Sequence, residues 1–246
     1  MTRPLISFIV PVWDDDDLLA ALVNRLPSSP ELLEWVVAAV DPSATLRELE
    51  NRGDIRLVAC VAPSRGRQLN AGAAEAQGLL LCFHHADSEL LPEHVSALVK
   101  VAADEAVGGG AFHRKFDDRH CWMMRWEAAA RGLCSVAGPL FGDQSIFVRA
   151  DVFKRLGGFA DIPLMEDVEF SSRLRHLTRI KLLYPPLRSS PRRFQSLGNW
   201  RSTLLNILFI ALFYLGISPN ILHRWYYQAR RKSGSADRDT IRDTKK

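Results

Sequence analysis

The chain has 246 residues, 47% hydrophobic and 24% charged, an ordinary globular composition with room for one large domain or two small ones. Of its 32 Lys and Arg and 28 Asp and Glu, the stretch Arg230 to Lys246 holds seven basic and three acidic residues, leaving 25 of each sign in the body and little case for nucleic-acid binding. Cys60, Cys82, Cys121 and Cys134 are scattered without CxxC spacing, which argues against a disulfide framework and a zinc site.

The opening MTRPLISFIVPVWDDDD has no long apolar core or small-residue cleavage site before its acidic run, so it reads as structure and not as a signal peptide, and a cytoplasmic setting is expected. Apolar runs then alternate with helical patterns. Ile6 to Val12 is followed by a helix over Leu18 to Leu26, Trp35 to Val40 by Thr45 to Glu50, Ile55 to Val61 by Gln68 to Ala76, and Leu79 to Phe83 by Glu93 to Ala103. Four such units predict an α/β fold, a mostly parallel sheet flanked by helices.

Beyond Gly108 the rhythm loosens. Short strands are expected at Gly110 to Phe112 and Ser145 to Val148, with a longer helix near Cys121 to Cys134. From Asp167 a further helix should bury a stripe of Phe170, Leu174 and Leu177. The run LLNILFIALFYLGI, residues 204–217, would span about 21 Å as a helix, short of the roughly 30 Å hydrocarbon core. With Trp200, Trp225, Tyr226 and Tyr227 beside it, and Arg201, Arg224 and Arg230 nearby, it suits either a membrane-surface contact or a buried or homodimer face. The last residues are polar and expected to be disordered.

In open α/β sheets, ligands bind beyond the carboxyl ends of strands, so the strand ends carry the candidate site. The first ends Pro11-Val12-Trp13, a candidate wall for a base, and runs into Asp14 to Asp17, for which helix capping is the favoured account of Asp15 to Asp17. The second ends at Asp41, either a turn starter before Pro42 or an acceptor for a nucleobase N–H. In APSRGRQLNAGAAEAQG, Arg65 and Arg67 flank a glycine near a helix start, where an anion would sit, and Asn70, Gly72 and Ala73 allow close approach of a ligand or strand. The stretch is neither a P-loop nor GxGxxG.

The fourth strand ends FHHADS. Strand alternation points His84 and His85 to opposite faces and lets His85 and Asp87 share one. Asp87 is either a turn residue or a hard oxygen ligand for Mg²⁺ or Mn²⁺ bridging a diphosphate. Farther on, GDQSIFVR brings Asp143 and Gln144, and MEDVEF brings Glu166 and Asp167, for which periodicity does not decide which acid points inward. Arg192 and Arg193 follow a strand-like IKLLY and either lie at the surface or close over an anionic ligand.

Taken in order, PVW, VD, SRGRQLNAGA, FHHADS, GDQSIFVR, MEDVEFSSRLR and SSPRRF resemble the family 2 glycosyltransferases of the GT-A fold, the Rossmann-like nucleotide-diphospho-sugar transferases. The wording is most similar to a bacterial subgroup labelled arsenosugar biosynthesis-type glycosyltransferases, over roughly Ile6 to Tyr227. The resemblance implies a GT-A domain over residues 1–200, and composition predicts a hydrophobic and aromatic helical appendage over 201–229 and a disordered charged tail over 230–246. It implies an inverting transferase that uses a nucleoside-diphosphate sugar and an unidentified acceptor, acting in the cytoplasm or on the inner face of the cell membrane.

By the same resemblance, Pro11, Val12, Trp13 and Asp41 line the nucleoside site, with Arg65, Arg67, Asn70 and His85 close to the donor. Asp87 is the retained acid of the DxD motif and brings in Mg²⁺ or Mn²⁺. Asp167 is the base, Glu166, Asp143 and Gln144 lie on the acceptor side, and Arg192 and Arg193 close on a phosphate. His85 stands where many relatives carry the first Asp of DxD, and Pro42 where many carry Gly. The rival of another class is a non-catalytic GT-A-like scaffold that binds a nucleotide or a membrane.

Overall fold

The computed structural model of the protein describes residues 4–13, 15–26, 28–29, 31–115, 138–188 and 199–226. Asp14, the helix expected near Cys121 to Cys134, the Arg192–Arg193 pair and the tail lie outside the described residues. Four β-α units open the chain. Strands β1 (Ile6–Val12), β2 (Leu33–Val40), β3 (Arg56–Cys60) and β4 (Leu80–Phe83) alternate with helices α1 (Asp16–Arg25), α2 (Ala44–Asn51), α3 (Arg65–Glu75) and α4 (Pro92–Ala102). Then come β5 (Gly109–Lys115), a 3-10 turn (Gly142–Gln144), β6 (Ile146–Arg149), α5 (Ala150–Leu156), α6 (Glu166–Leu177) and β7 (Ile180–Arg188).

The seven strands form one sheet in the order β3-β2-β1-β4-β6-β5-β7. All pairings are parallel except those of β6, which runs against both β4 and β5. Central strands are covered on both faces, which is why they read as unbroken apolar runs. Phe8, Val10, Trp35 and Val37 pack with α1, α2 and α4 on one side, and Ile9, Val36, Leu81, Phe83 and Phe170 pack with α3, α5 and α6 on the other. A Cβ on Gly72 would lie 2.6 Å from Ile9 Cγ2, so only glycine lets α3 sit this close to β1.

Two details differ from the sequence reading. The buried face of α6 is Val168, Phe170, Ser171 and Leu174, and Leu177, at its edge in the final turn, is 37% exposed. Strand β7 continues past IKLLY through Pro185 and Pro186, which an edge strand tolerates because it lacks a partner on one side.

The chain divides into two compact units, Met1–Asp161 with Asp167–Ser189, and Ile162–Glu166 with Ser190–Lys246. The first contains the sheet. In the second, α7 (Asn199–Tyr214) ends at Gly216, whose φ of 86° suits a residue without a side chain, and Ile217 N–H returns to Leu212 O at 3.1 Å. Ser218 and Pro219 then start α8 (219–226). Among the described residues no helix is long and apolar enough to cross a membrane.

Candidate active site

The reversed direction of β6 builds the site. Because Phe83 at the end of β4 pairs with Ile146 at the start of β6, residues 142–145 meet residues 84–87 at the carboxyl edge of the sheet. Strand β5 also finishes at this edge, since it runs parallel to β7 and against β6. There the Arg114 guanidinium forms a close ion pair with Asp143. Gln144 secures the 3-10 turn, donating from Nε2 to Phe112 O at 3.1 Å and accepting at Oε1 from Phe141 N–H at 2.9 Å.

Arg65 occupies the centre. Its Nη2 lies 2.5 Å from His85 Nε2. A guanidinium only donates, so Nε2 is the acceptor and the proton of the neutral ring is on Nδ1. Arg65 Nη1 is 3.9 Å from Asp167 Oδ2. The guanidinium crosses Gly142 so closely that a Cβ there would come within 1.6 Å of Nη2.

Asp167, in the first turn of α6, is held from two sides. Oδ2 accepts the Gly142 N–H at 2.8 Å and Oδ1 accepts the Val168 N–H at 2.8 Å. Glu166 is buried, and the Asp167 carboxylate meets Arg65 and Gly142.

His84 turns the other way and is fully buried. Its Nε2 lies 3.3 Å from Ser88 O and its Nδ1 2.6 Å from Ser145 Oγ. A carbonyl only accepts, so Nε2–H donates to Ser88 and Nδ1 accepts the Ser145 hydroxyl proton. Burial lowers the His84 pKa to about 4. Ser145 itself has φ 50°, a left-handed backbone that the hydroxyl bond to His84 helps to hold.

At the ends of β1 and β2, Trp13 is exposed, Pro11 is half-buried and Asp41 is exposed with φ 51°. The Val12 side chain is in the core, so at this edge Val12 offers backbone only. Gln68, which the sequence reading missed, is 4% exposed and donates to Val12 O at 3.1 Å and Ala38 O at 2.9 Å, joining the ends of β1 and β2. A glutamine facing the sheet three residues after the first helical position is its only sequence signal. Arg67 points elsewhere, to a bidentate pair with Asp161 at 2.8 and 2.7 Å. That pair raises the guanidinium pKa and lowers the carboxyl, both groups being exposed. Asn70 clamps the backbone of Phe159, donating to its O at 2.9 Å and accepting from its N at 2.8 Å.

The residues fit a divalent cation in one respect. Strand β4 stops at Phe83, so alternation no longer governs His85 and Asp87, and the Nε2 lone pair of His85 is taken by Arg65. Asp87, half-buried in the following turn, is the carboxylate suited to Mg²⁺ or Mn²⁺. Among the described residues no group of three or more His, Cys, Asp or Glu could hold a metal ion, so the other ligands would be donor phosphates and water.

The family model for glycosyl transferase family 2 matches residues 7–156, more than half of the chain. The chain belongs to glycosyl transferase family 2. Solved structures share its GT-A fold. The mannosyltransferase PcManGT from Pyrobaculum calidifontis, in complex with GDP-Man and Mn²⁺, is 20% identical with a TM-score of 0.64, over 96% of this chain and 73% of that one. Glucosyl-3-phosphoglycerate synthase from Mycobacterium tuberculosis, in complex with Mn²⁺, UDP and phosphoglyceric acid, is 17% identical with a TM-score of 0.59, over 84% and 78%. S. aureus TarS 1–349 is 18% identical with a TM-score of 0.59 over 77% of this chain, which spans 62% of that one. No curated protein matches the chain. The family match ends before Asp167, whose place beside Arg65 comes from the structure.

Proposed function

We propose that this family 2 member is an inverting glycosyltransferase that moves a sugar from a nucleoside-diphosphate sugar to an acceptor hydroxyl. The observation that carries the reading is the Asp167 carboxylate, fixed by the Gly142 N–H at 2.8 Å and placed 3.9 Å from the Arg65 guanidinium. In the reaction the acceptor oxygen bonds to the anomeric carbon and its proton passes to Asp167. The bond from that carbon to the diphosphate oxygen breaks, and the nucleoside diphosphate leaves with the electron pair. Attack in line with the leaving group inverts the anomeric centre.

Each side chain then has a task. Asp167 takes the proton, a contribution worth roughly 10²- to 10⁴-fold. Arg65 presents fixed positive charge to the departing phosphates, with Arg192 and Arg193 as further candidates, and it holds that charge without reorganising. Trp13 and Asp41 receive the nucleoside at the ends of β1 and β2, while Asp143 and Gln144 border the acceptor. Asp87 would hold a divalent cation, which would supply charge neutralisation at the diphosphate. Membership of the arsenosugar biosynthesis-type subgroup is part of the same proposal, carried by SRGRQLNAGA, FHHADS and MEDVEFSSRLR.

The lone Asp87 carboxylate favours a second reading, a nucleotide-binding scaffold without chemistry. One experiment separates them. Calorimetric titration with UDP, GDP and dTDP, each with Mn²⁺ and with EDTA, identifies the nucleotide, and transfer is then followed with the matching sugar donors. Asp167→Asn should abolish transfer and leave nucleotide affinity unchanged. Equal loss of both would refute the base, and binding without turnover of any donor would support the scaffold.

A further inference from the structure

From Leu204 helix α7 is apolar apart from Asn206, with no Asp, Glu, Lys or Arg between Leu204 and Ile217. One face is covered, with Phe209 buried and set edge-to-face on Tyr226 of α8 at 5.6 Å. The opposite face is open. Ile207, Leu208, Ala211, Tyr214 and Leu215 recur at helical spacing and all are exposed, Leu215 at 79%. Trp225 on α8 is also exposed. A contiguous apolar stripe of this kind marks a surface that is covered in use.

We propose that the occupant is the surface of an anionic lipid bilayer, with α7 lying in the interfacial plane. Two observations select lipid over a second copy of the chain. First, the 16 residues of α7 extend about 24 Å, too short to span but suited to lie along the boundary, and the exposed Tyr214 and Trp225 are amphipathic rings of the kind that favour headgroups. Second, the sequence after α8 holds seven Lys and Arg and three Asp, so the whole formal excess of +4 directly follows these helices. Basic residues beside an apolar interfacial helix supply the second of the two signals that stable anchoring needs. The proposal is independent of the transfer reaction.

The test is flotation of the full-length protein with phosphatidylcholine vesicles, with and without phosphatidylglycerol. The protein should float with the anionic vesicles and at least roughly ten-fold less with the neutral ones, and high salt should weaken the anionic binding. The double variant Leu208→Glu/Leu215→Glu should lose flotation with its thermal midpoint and nucleotide binding unchanged. If that variant fails to fold, Arg230→Glu/Arg231→Glu, in the basic sequence after α8, provides the same reading by selectively reducing anionic binding. Absence of flotation would overturn the proposal. So would a soluble dimer by analytical ultracentrifugation that the variant dissociates.

Discussion

Arg65 donates from Nη2 to His85 Nε2 at 2.5 Å. The imidazole therefore anchors a cation, and that cation lies between the end of β4 and the Asp167 carboxylate. His85→Ala removes the anchor while leaving the core untouched. Transfer should fall by about 10²-fold, the size of effect expected when a reacting group is displaced by an ångström. His85→Asp should keep Arg65 in place and add a second acid near Asp87. Its transfer should persist and reach half-maximal rate at a lower Mn²⁺ concentration, measured by metal titration of initial rates.

Gly142→Ala tests the same cation from the opposite side. The new Cβ would fall 1.6 Å from Arg65 Nη2, the far end of a flexible side chain, so the guanidinium moves and the fold stays. The thermal midpoint should change little, as for substitutions within about 0.5 kcal/mol, while transfer drops at least ten-fold. Unchanged transfer would mean that Arg65 plays no part.

Asp87→Ala addresses the cation. Calorimetry should show that Mn²⁺ strengthens nucleoside-diphosphate binding to the wild-type protein and has no effect on the variant. Binding of the free nucleoside should be equal in both, because the proposed nucleoside contact lies at the ends of β1 and β2. Equal Mn²⁺ enhancement in the two proteins would remove Asp87 from the metal site.

His84 sets an acid limit on stability. Its pKa in the folded protein is lowered to about 4 by burial, whereas the unfolded chain has the ordinary value of 6.5. Between these values the unfolded state binds the proton and the folded state does not, so stability rises with pH across this window and falls as pH drops from 6.5 toward 4. The full difference is about 3 kcal/mol. His94 is lowered in the same direction by burial and adds to it. His84→Gln should flatten the slope of denaturation midpoint against pH between 4 and 6.5.

The parallel half of the sheet was legible in the sequence because strands buried on both faces leave long apolar runs, and the ends of β1, β2 and β4 each finish in a marked residue. The site was legible as types of residue and not as contacts. Arg65 and Arg67 are equivalent in sequence, two positions apart near a helix start, yet a helix rotates them by about 200°. One meets His85 and the other Asp161. Periodicity also left Glu166 and Asp167 equal; the choice depends on the Gly142 N–H, 25 residues away in the chain. Gln68 was passed over because a buried amide joining two carbonyls has no pattern of its own.

Strand β6 runs backwards, and this divides labour along the gene as well as in space. Apart from Arg192 and Arg193, the residues proposed for the donor precede Glu89, whereas the turn, Asp143 and Asp167 come after Pro139, and β6 brings the turn to the edge where β4 ends. New acceptors can thus be reached by rewriting the later stretch while the nucleotide end is inherited intact. The limit is Gly142, where the two stretches touch: any side chain there would push the Arg65 guanidinium aside.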